Sequence, residues 1–110
     1  KAGIAAIKAG ISGVAADRAA RDVIEQAGYG RCFGHGFGHG VGVEIHEAPK
    51  LSVESTDLLA AGQVVSAEPG IYLPSRMGVR IEDLVAVTED GCEAFTISPA
   101  GLHCPPYTVS

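Results

Sequence analysis

Sixteen residues near the middle of the chain, Gly34–Pro49, read GHGFGHGVGVEIHEAP. They contain three of the four histidines, and a glycine occupies every second position from Gly34 to Gly42. Because side chains alternate along an extended chain, this spacing bares one face of the backbone and places His35 and His39 together on the other. Glycine at this density weakens helices and ordinary strands, so it indicates a backbone that must approach another group closely. The stretch therefore predicts a metal-and-substrate site.

Length and composition set the class of protein. The 110 residues are 46% hydrophobic and 19% charged, which is typical of one globular domain with a limited core. A net charge of −5 argues against nucleic acid or an anionic membrane as a partner. Cys32, Cys92 and Cys104 are widely spaced and form no CxxC pair, a pattern typical of free thiols in a reducing compartment. We therefore expect a cytoplasmic protein, and no apolar run is long enough for a membrane span.

Helical signals are confined to the first quarter of the chain. Lys1–Ala9 is alanine-rich and reads as the last turns of a helix capped by Gly10, as if the chain were a fragment of a longer protein. Ser12 is the expected N-cap of a second helix that ends near Ala27, before Gly28. One face of this helix is apolar: Ala16, Ala19, Ala20, Val23, Ile24 and Ala27. The opposite face, predicted to be solvated, is charged: Asp17, Arg18, Arg21, Asp22 and Glu25.

Strand signals dominate the second half. We expect strands over Val64–Glu68, Ile71–Leu73 and Val79–Thr88, with Pro69-Gly70 as a turn between the first two. Glu89-Asp90-Gly91 is a tight hairpin turn that leads into a return strand, Cys92–Ile97. Residues 50–62 read as a polar connection anchored by Leu58 and Leu59, and residues 98–110 as an irregular tail. Helices followed by antiparallel strands predict an α+β fold.

The candidate ligands are spread along three segments. His39 and His46 are seven residues apart, so they serve one site only if the chain bends between them, which Gly40 and Gly42 permit. Glu68 ends a predicted strand, and Glu82 lies among apolar residues, where a carboxylate is costly unless it is paired or metal-bound. Nitrogen and carboxylate donors suit Mn²⁺, Fe²⁺, Co²⁺ or Zn²⁺.

Spacing alone leaves other interpretations open. Glu82 beside Arg80 is equally consistent with a salt bridge, Glu68 with a solvated strand end, and His103 with a structural or surface group. Three catalytic patterns are absent from the sequence: the G-x-G-x-x-G and P-loop phosphate motifs, the second histidine of a zincin helix, and a G-x-S-x-G elbow.

Three motifs in order resemble one enzyme family. GHGFGHGVGVEIHEAP, SAEPGIY and GVRIED are similar to the C-terminal half of the pita-bread, M24-type metallopeptidases, within the Xaa-Pro aminopeptidase and prolidase branch. The resemblance covers residues 1–97. It implies half of a pita-bread fold, in which two N-terminal helices precede a mostly antiparallel, curved sheet.

The resemblance also assigns roles to particular residues. It implies that His39, Glu68 and Glu82 bind metal, with Glu82 bridging two divalent ions, Mn²⁺ being the expected metal. Glu68 would also move protons, His46 would hydrogen-bond the substrate near the scissile amide, and His35 and Arg80 would contribute to substrate binding. The implied substrates are short peptides with proline in the second position, or Xaa-Pro dipeptides, cleaved by metal-assisted hydrolysis.

One feature of the family is not matched in this sequence. The resemblance implies two further aspartate ligands, and neither Asp17 nor Asp22 fits such a motif, so we expect the isolated chain to be inactive and the longer protein to be the enzyme. An incomplete half-fold exposes sheet surface, which predicts a homodimer or another association.

Two alternative functions remain: a non-catalytic pita-bread module that binds other proteins, and a creatinase-type amidinohydrolase.

Overall fold

The computed structural model of the chain describes residues 1–101. His103, Cys104 and all but the first four residues of the predicted 98–110 tail lie outside the described residues. The elements in chain order are α1 (Ala2–Ala6), α2 (Gly13–Gln26), a 3₁₀ turn (Gly30–Cys32), β1 (Gly38–Gly40), β2 (Glu47–Leu51), β3 (Val64–Ala67), β4 (Gly70–Leu73), β5 (Met77–Arg80), β6 (Asp83–Val87) and β7 (Cys92–Ala94).

Five of the strands form one antiparallel sheet in the order β2-β1-β3-β6-β7, and β4 pairs with β5 in a separate hairpin. β1, the centre of the glycine-rich stretch, lies between β2 and β3. The predicted α+β class, with two helices before a mostly antiparallel sheet, is confirmed. The strand order places the glycine-rich stretch beside the end of β3, where Glu68 leaves the sheet.

The core lies where the helices pack on the sheet. Its buried members are small and aliphatic side chains with two phenylalanines: Ile7, Ala16, Ala20, Phe33, Phe37, Leu51, Leu59, Val65, Ala67, Val85 and Val87. Each large apolar side chain buried there stabilises the fold by roughly 1.5–3 kcal/mol. The phenylalanines flank the segment that carries His35, so the core fixes the backbone on both sides of that histidine.

The helix boundaries differ from the sequence prediction at one end only. Ser12 caps α2 as predicted, because its hydroxyl accepts a hydrogen bond from the Ala15 amide at 3.1 Å, and Gly28 follows the helix with φ of +89°. The prediction that Gly10 caps the first helix is wrong. α1 stops at Ala6, and Ile7 is extended and completely buried, since the chain must turn there to enter the core.

The predicted solvated face of α2 is wrong for two of its five residues. Asp17 is completely buried, and Arg21 is only 9% exposed. Val23, placed in the apolar stripe, is 54% exposed instead. Helical periodicity fails here because the glycine-rich segment packs over this edge of α2 and supplies polar backbone partners for the two charges.

Three strand predictions also need correction. The run Val79–Thr88 is not one strand, because the chain breaks at Ile81-Glu82, leaving β5 in the hairpin and β6 in the main sheet. The sequence pattern predicts no strand around Pro49, yet β2 spans it at the edge of the sheet, a position where proline is tolerated. β7 ends at Ala94 rather than Ile97. Of the two predicted anchors of the connection, Leu59 is buried and Leu58 is 65% exposed.

Within residues 1–101 both cysteines, Cys32 and Cys92, are free. The thiol of Cys92 donates a hydrogen bond to the carbonyl oxygen of Ile4 at 3.4 Å, and burial raises the pKa of this thiol. It is therefore a neutral thiol near pH 7. No helix in this part of the chain has the length and apolar character needed to cross a membrane.

Candidate functional site

β1 fits between its neighbours only because its outer residues are glycines. A Cβ atom at Gly38 would meet the backbone carbonyl of Ser66 on β3 at less than contact distance, and a Cβ at Gly40 would meet the carbonyl of Ala48 on β2. These are backbone obstacles that no rotamer change removes. The close approach expected from the glycine spacing is therefore present, and it holds His39 against both neighbouring strands.

His39 is oriented at its backbone and at its ring. Its amide donates to the hydroxyl of the buried Ser66 at 3.0 Å. Its ring Nδ1 lies 2.9 Å from the carbonyl oxygen of Gly40. Because a carbonyl oxygen can only accept, Nδ1 carries the proton, and Nε2 points away from the strand toward Glu68. This tautomer is the one in which Nε2 can bind a metal ion.

Glu68 lies directly after β3 and meets His39 across a short gap. Its Oε1 is 2.9 Å from His39 Nε2, and both side chains are largely buried, at 12% and 19% exposed. The Ser66 hydroxyl donates to the same oxygen at 2.9 Å, while the Glu68 amide donates to the carbonyl of Phe37 at 2.8 Å. The carboxylate is therefore held by fixed partners and aimed at the ring of His39.

The contact between His39 Nε2 and Glu68 Oε1 indicates that these two donors fit a cation. A ring nitrogen and a carboxylate oxygen at 2.9 Å repel each other unless a proton or a cation lies between them. A divalent ion bound by both groups removes the repulsion, and imidazole plus carboxylate is a donor set that Mn²⁺, Fe²⁺, Co²⁺ and Zn²⁺ accept. His39 and Glu68 therefore fit a metal ion chemically.

Glu82 is linked to Glu68 through Arg80, which forms a salt bridge with each carboxylate. Arg80 bonds Glu68 Oε2 through Nη1 at 3.3 Å and Glu82 Oε2 through Nη2 at 3.1 Å. Its side chain is 49% exposed, so each bond contributes at most about 1 kcal/mol. Among residues 1–101 no group of three or more His, Cys, Asp or Glu side chains is close enough to hold one ion. The structure thus brings together two of the three predicted ligands and gives Glu82 the salt bridge that spacing alone left open.

The chain bends between His39 and His46, as the sequence analysis required. The pairing of β1 with β2 shifts register between His39 and Gly40, which is an irregularity of the β-bulge type. Residues 41–46 join these two antiparallel strands, so the chain reverses direction, and the ring centroids of His39 and His46 are 4.3 Å apart. The bend converts a separation of seven residues into a direct side-chain contact.

His35 lies on the same side of the site and contacts a residue that the sequence analysis did not single out. Its Nδ1 donates to the carbonyl of Gly36 at 2.8 Å, so its Nε2 accepts from the hydroxyl of Tyr72 at 2.7 Å. Tyr72, on β4, occurs in the quoted SAEPGIY stretch, but no period or spacing marks its hydroxyl. Only the pairing of β4 with β5 beside the glycine-rich stretch brings it to His35.

These side chains surround one open cavity of about 270 Å³. Its lining residues are His35, Gly36, Gly38, His39, His46, Glu68, Tyr72 and Arg80. A second cavity, of about 260 Å³, is mainly apolar and is lined by residues of α1, α2 and the sheet, including Val23, Phe37 and Ile81. The first cavity is lined by the three histidines, Glu68 and Arg80, although not by Glu82, so it is the candidate site.

Comparisons with known proteins bear on this site. The model of "Metallopeptidase family M24" matches residues 1–89. The chain is 52% identical over 100 residues to the uncharacterized peptidase YqhT of Bacillus subtilis, covering 91% of this chain and 28% of that protein. An Xaa-Pro dipeptidase from Bacillus anthracis superimposes with a TM-score of 0.90 at 51% identity, over 92% of this chain and 28% of that one.

An X-Pro aminopeptidase from Thermotoga maritima gives a TM-score of 0.87 at 42% identity, over 91% of this chain and 28% of that one. The chain thus spans little more than a quarter of each of these relatives. The pita-bread prediction is confirmed, as is the resemblance on which it rested. The matched residues 1–89 include the glycine-rich stretch, Glu68 and Arg80, and the chain belongs to metallopeptidase family M24.

Proposed function

We propose that this chain carries metal-binding and substrate-binding side chains of an exopeptidase that hydrolyses the peptide bond preceding proline. The observation that carries the proposal is the convergence of His39 Nε2 and Glu68 Oε1 at 2.9 Å in a cavity that His35 and His46 also line. The names of the Bacillus anthracis dipeptidase and the Thermotoga maritima aminopeptidase support a proline-specific reaction.

In this proposal His39, Glu68 and Glu82 bind two divalent ions, most suitably Mn²⁺, with ligands from the longer protein. Such ions activate water and polarise the scissile carbonyl. Arg80 orients the carboxylates of Glu68 and Glu82, since it bonds both. Glu68 is placed to accept and return a proton, because its carboxylate already has a hydroxyl and a ring nitrogen within hydrogen-bond distance.

The histidines act on the substrate. His46 lies against the His39 ring, where it can donate to the substrate near the scissile amide. His35, with its ring locked between Gly36 and Tyr72, forms a rigid wall of the cavity. Proline lacks an amide hydrogen and has a fixed φ, so a rigid wall suffices to select it. We also place the protein in the cytoplasm, in keeping with the free Cys32 and Cys92.

The proposal is tested with the full-length protein that contains this chain. Purified protein is treated with a chelator, divided, and assayed on Ala-Pro, Ala-Pro-Ala and Ala-Ala with and without Mn²⁺. We expect Mn²⁺-dependent release of alanine from the proline peptides and not from Ala-Ala. Cleavage of Ala-Pro alone identifies a dipeptidase, and cleavage of Ala-Pro-Ala as well identifies an aminopeptidase. Absence of cleavage of both proline peptides contradicts the proposal.

The isolated 110-residue chain serves as the matched control in that assay. We expect it to be inactive, because only two of its donors converge within residues 1–101 and two donors do not hold two ions. Hydrolysis of Ala-Pro by this chain alone would show that its own ligands suffice.

The isolated chain is also expected to associate. Val23 and Ile81, which line the apolar cavity, are 54% and 38% exposed, and Val43 and Ile45 in the loop between β1 and β2 are exposed as well. Apolar surface of this kind favours a second copy over water. Light scattering across a hundredfold range of concentration should give a mass above that of a monomer. A monomer mass at the highest concentration would rule the association out.

A further inference from the structure

The buried ion pair on α2 is not part of the candidate site, yet it contacts the segment that builds it. Arg21 donates through Nε to Asp17 Oδ2 at 2.7 Å and through Nη2 to Asp17 Oδ1 at 3.0 Å. The hydrogen bond to Asp17 is the main cause that raises the pKa of Arg21, so the guanidinium is charged at every pH at which the protein is handled. The pair is therefore a permanent, fixed arrangement of donors and acceptors.

The Asp17–Arg21 pair also forms hydrogen bonds with the backbone of every second residue of the segment 33–37. Arg21 Nη1 donates to the carbonyl of Phe33 at 2.8 Å, and Nη2 donates to the carbonyl of His35 at 2.7 Å. Asp17 Oδ1 accepts from the amide of Phe37 at 2.9 Å. A neighbouring β-strand would bond alternate residues in the same way. Two side chains of a helix thus take the place of a strand on this edge, directly before β1.

The same contacts extend to the ring of His35 through one peptide group. The carbonyl of Gly36 accepts from His35 Nδ1 at 2.8 Å, and the amide of Phe37, in the same planar group, donates to Asp17. The carboxylate of Asp17 polarises this peptide and makes its carbonyl a better acceptor. The face of Phe33 lies against the Arg21 guanidinium at 4.1 Å, and its ring meets His35 edge-on at 5.2 Å between centroids.

We propose that Asp17 and Arg21 are positioning residues, which act as the hydrogen-bonding neighbour of the segment 33–37 and thereby fix the orientation and tautomer of the His35 ring in the cavity. The effect on substrate binding rests on the role proposed above for His35. The effect of the ion pair on the conformation of the segment 33–37 is independent of that role.

A second ion pair on the same helix provides a matched control. Arg18 and Asp22 are also four residues apart, bonded at 3.3 Å, but their side chains are 56% and 51% exposed. This pair has the same spacing and chemistry and lies on the solvent side, away from the glycine-rich segment. Changes to it should leave the segment and the cavity unaffected.

The test compares Arg21→Lys with Arg18→Lys in the full-length protein. Lysine keeps the charge beside Asp17 but lacks the planar fork that bonds two carbonyls at once. We expect amide exchange in peptides covering 33–37, measured by mass spectrometry, to be about tenfold faster in Arg21→Lys, because the segment opens locally more often. Arg18→Lys should match the parent. Asp17→Asn, which keeps an oxygen for the Phe37 amide, should resemble Arg21→Lys, and circular dichroism identifies which variants are folded.

Kinetics on Ala-Pro then separate positioning from general stability. We expect Arg21→Lys to raise KM roughly threefold to tenfold, the effect of one weakened hydrogen bond, with a smaller change in kcat. In a His35→Gln background the same change should alter KM by less than about twofold, because its effect passes through His35. If the role of Arg21 were merely structural, Arg21→Lys would lower the melting temperature, and its effect on KM would be the same with and without His35→Gln.

The outcomes keep the two proposals apart. Unchanged exchange over 33–37 in folded Arg21→Lys and Asp17→Asn overturns the positioning role. Equal KM effects with and without His35 overturn it as well. If His35→Gln alone leaves KM unchanged, the substrate role of His35 fails, while the exchange measurement still decides whether the pair holds the segment.

Discussion

Replacing Gly38 by alanine is expected to destabilise the chain by about 3 kcal/mol, the upper part of the range for an overpacked site. The added Cβ would meet the carbonyl of Ser66, so relief requires β1 to move away from β3. That movement weakens two hydrogen bonds: the one from the Glu68 amide to the carbonyl of Phe37, and the one from the His39 amide to the hydroxyl of Ser66. The unfolding free energy, measured by urea titration of the 110-residue chain with circular dichroism, checks the prediction.

Gly34→Ala is the matched control for this measurement. Gly34 belongs to the same alternating series, but a Cβ there meets no atom of the described residues within 4 Å. Its substitution should change the unfolding free energy by less than about 0.5 kcal/mol, or stabilise slightly by restricting the unfolded chain. Equal effects of Gly34→Ala and Gly38→Ala would show that the glycines serve flexibility rather than close approach.

Replacing Glu68 by glutamine is expected to have the largest effect on activity. In the full-length protein we expect kcat on Ala-Pro to fall by about 10² to 10⁴, the usual contribution of a group that transfers protons. Glutamine keeps the size of the side chain but removes the charge that faces His39 Nε2 and Arg80. Metal content, measured by elemental analysis after dialysis, should fall as well.

Glu93→Gln is the control, because Glu93 is an exposed carboxylate on β7 and does not line the site cavity. It should retain both activity and metal. If Glu68→Gln keeps its full metal content but has a reduced kcat, Glu68 acts in proton transfer and not in metal binding. If the variant keeps more than a tenth of the parent activity, Glu68 is not part of the catalytic mechanism.

The two predictions address one geometric fact. Glu68 can face His39 only if β1 lies against β3, and β1 lies against β3 only if Gly38 has no side chain. The stability of the sheet and the chemistry of the site therefore depend on the same close approach. A glycine in β1 thus has an indirect effect on activity that its lack of functional groups would not suggest.

Local patterns in the sequence determined much of the secondary structure and most of the candidate site residues. The cap at Ser12, the stop at Gly28 and the strand before Glu68 follow from backbone preferences of individual residues, which act over a few positions, whereas the turn predicted at Pro69-Gly70 is absent because Gly70 begins β4. The glycine alternation indicated the close approach of β1, and the three motifs indicated the family. His35, His39, His46 and Glu68 could be proposed as one site because short motifs contain them all.

Only the tertiary structure decided which polar groups meet. Asp17 and Arg21 carry the periodicity of a solvated helix face, yet they are buried, because a segment twelve to twenty residues further along supplies carbonyls and an amide to bond them. Tyr72 meets His35 across thirty-seven positions, and Arg80 bonds the carboxylates of both Glu68 and Glu82. Such pairings depend on strand order and on the break at Ile81-Glu82, and no local preference encodes them. A charge is inexpensive to bury only where partners are already fixed, and the position of those partners is a property of the whole fold.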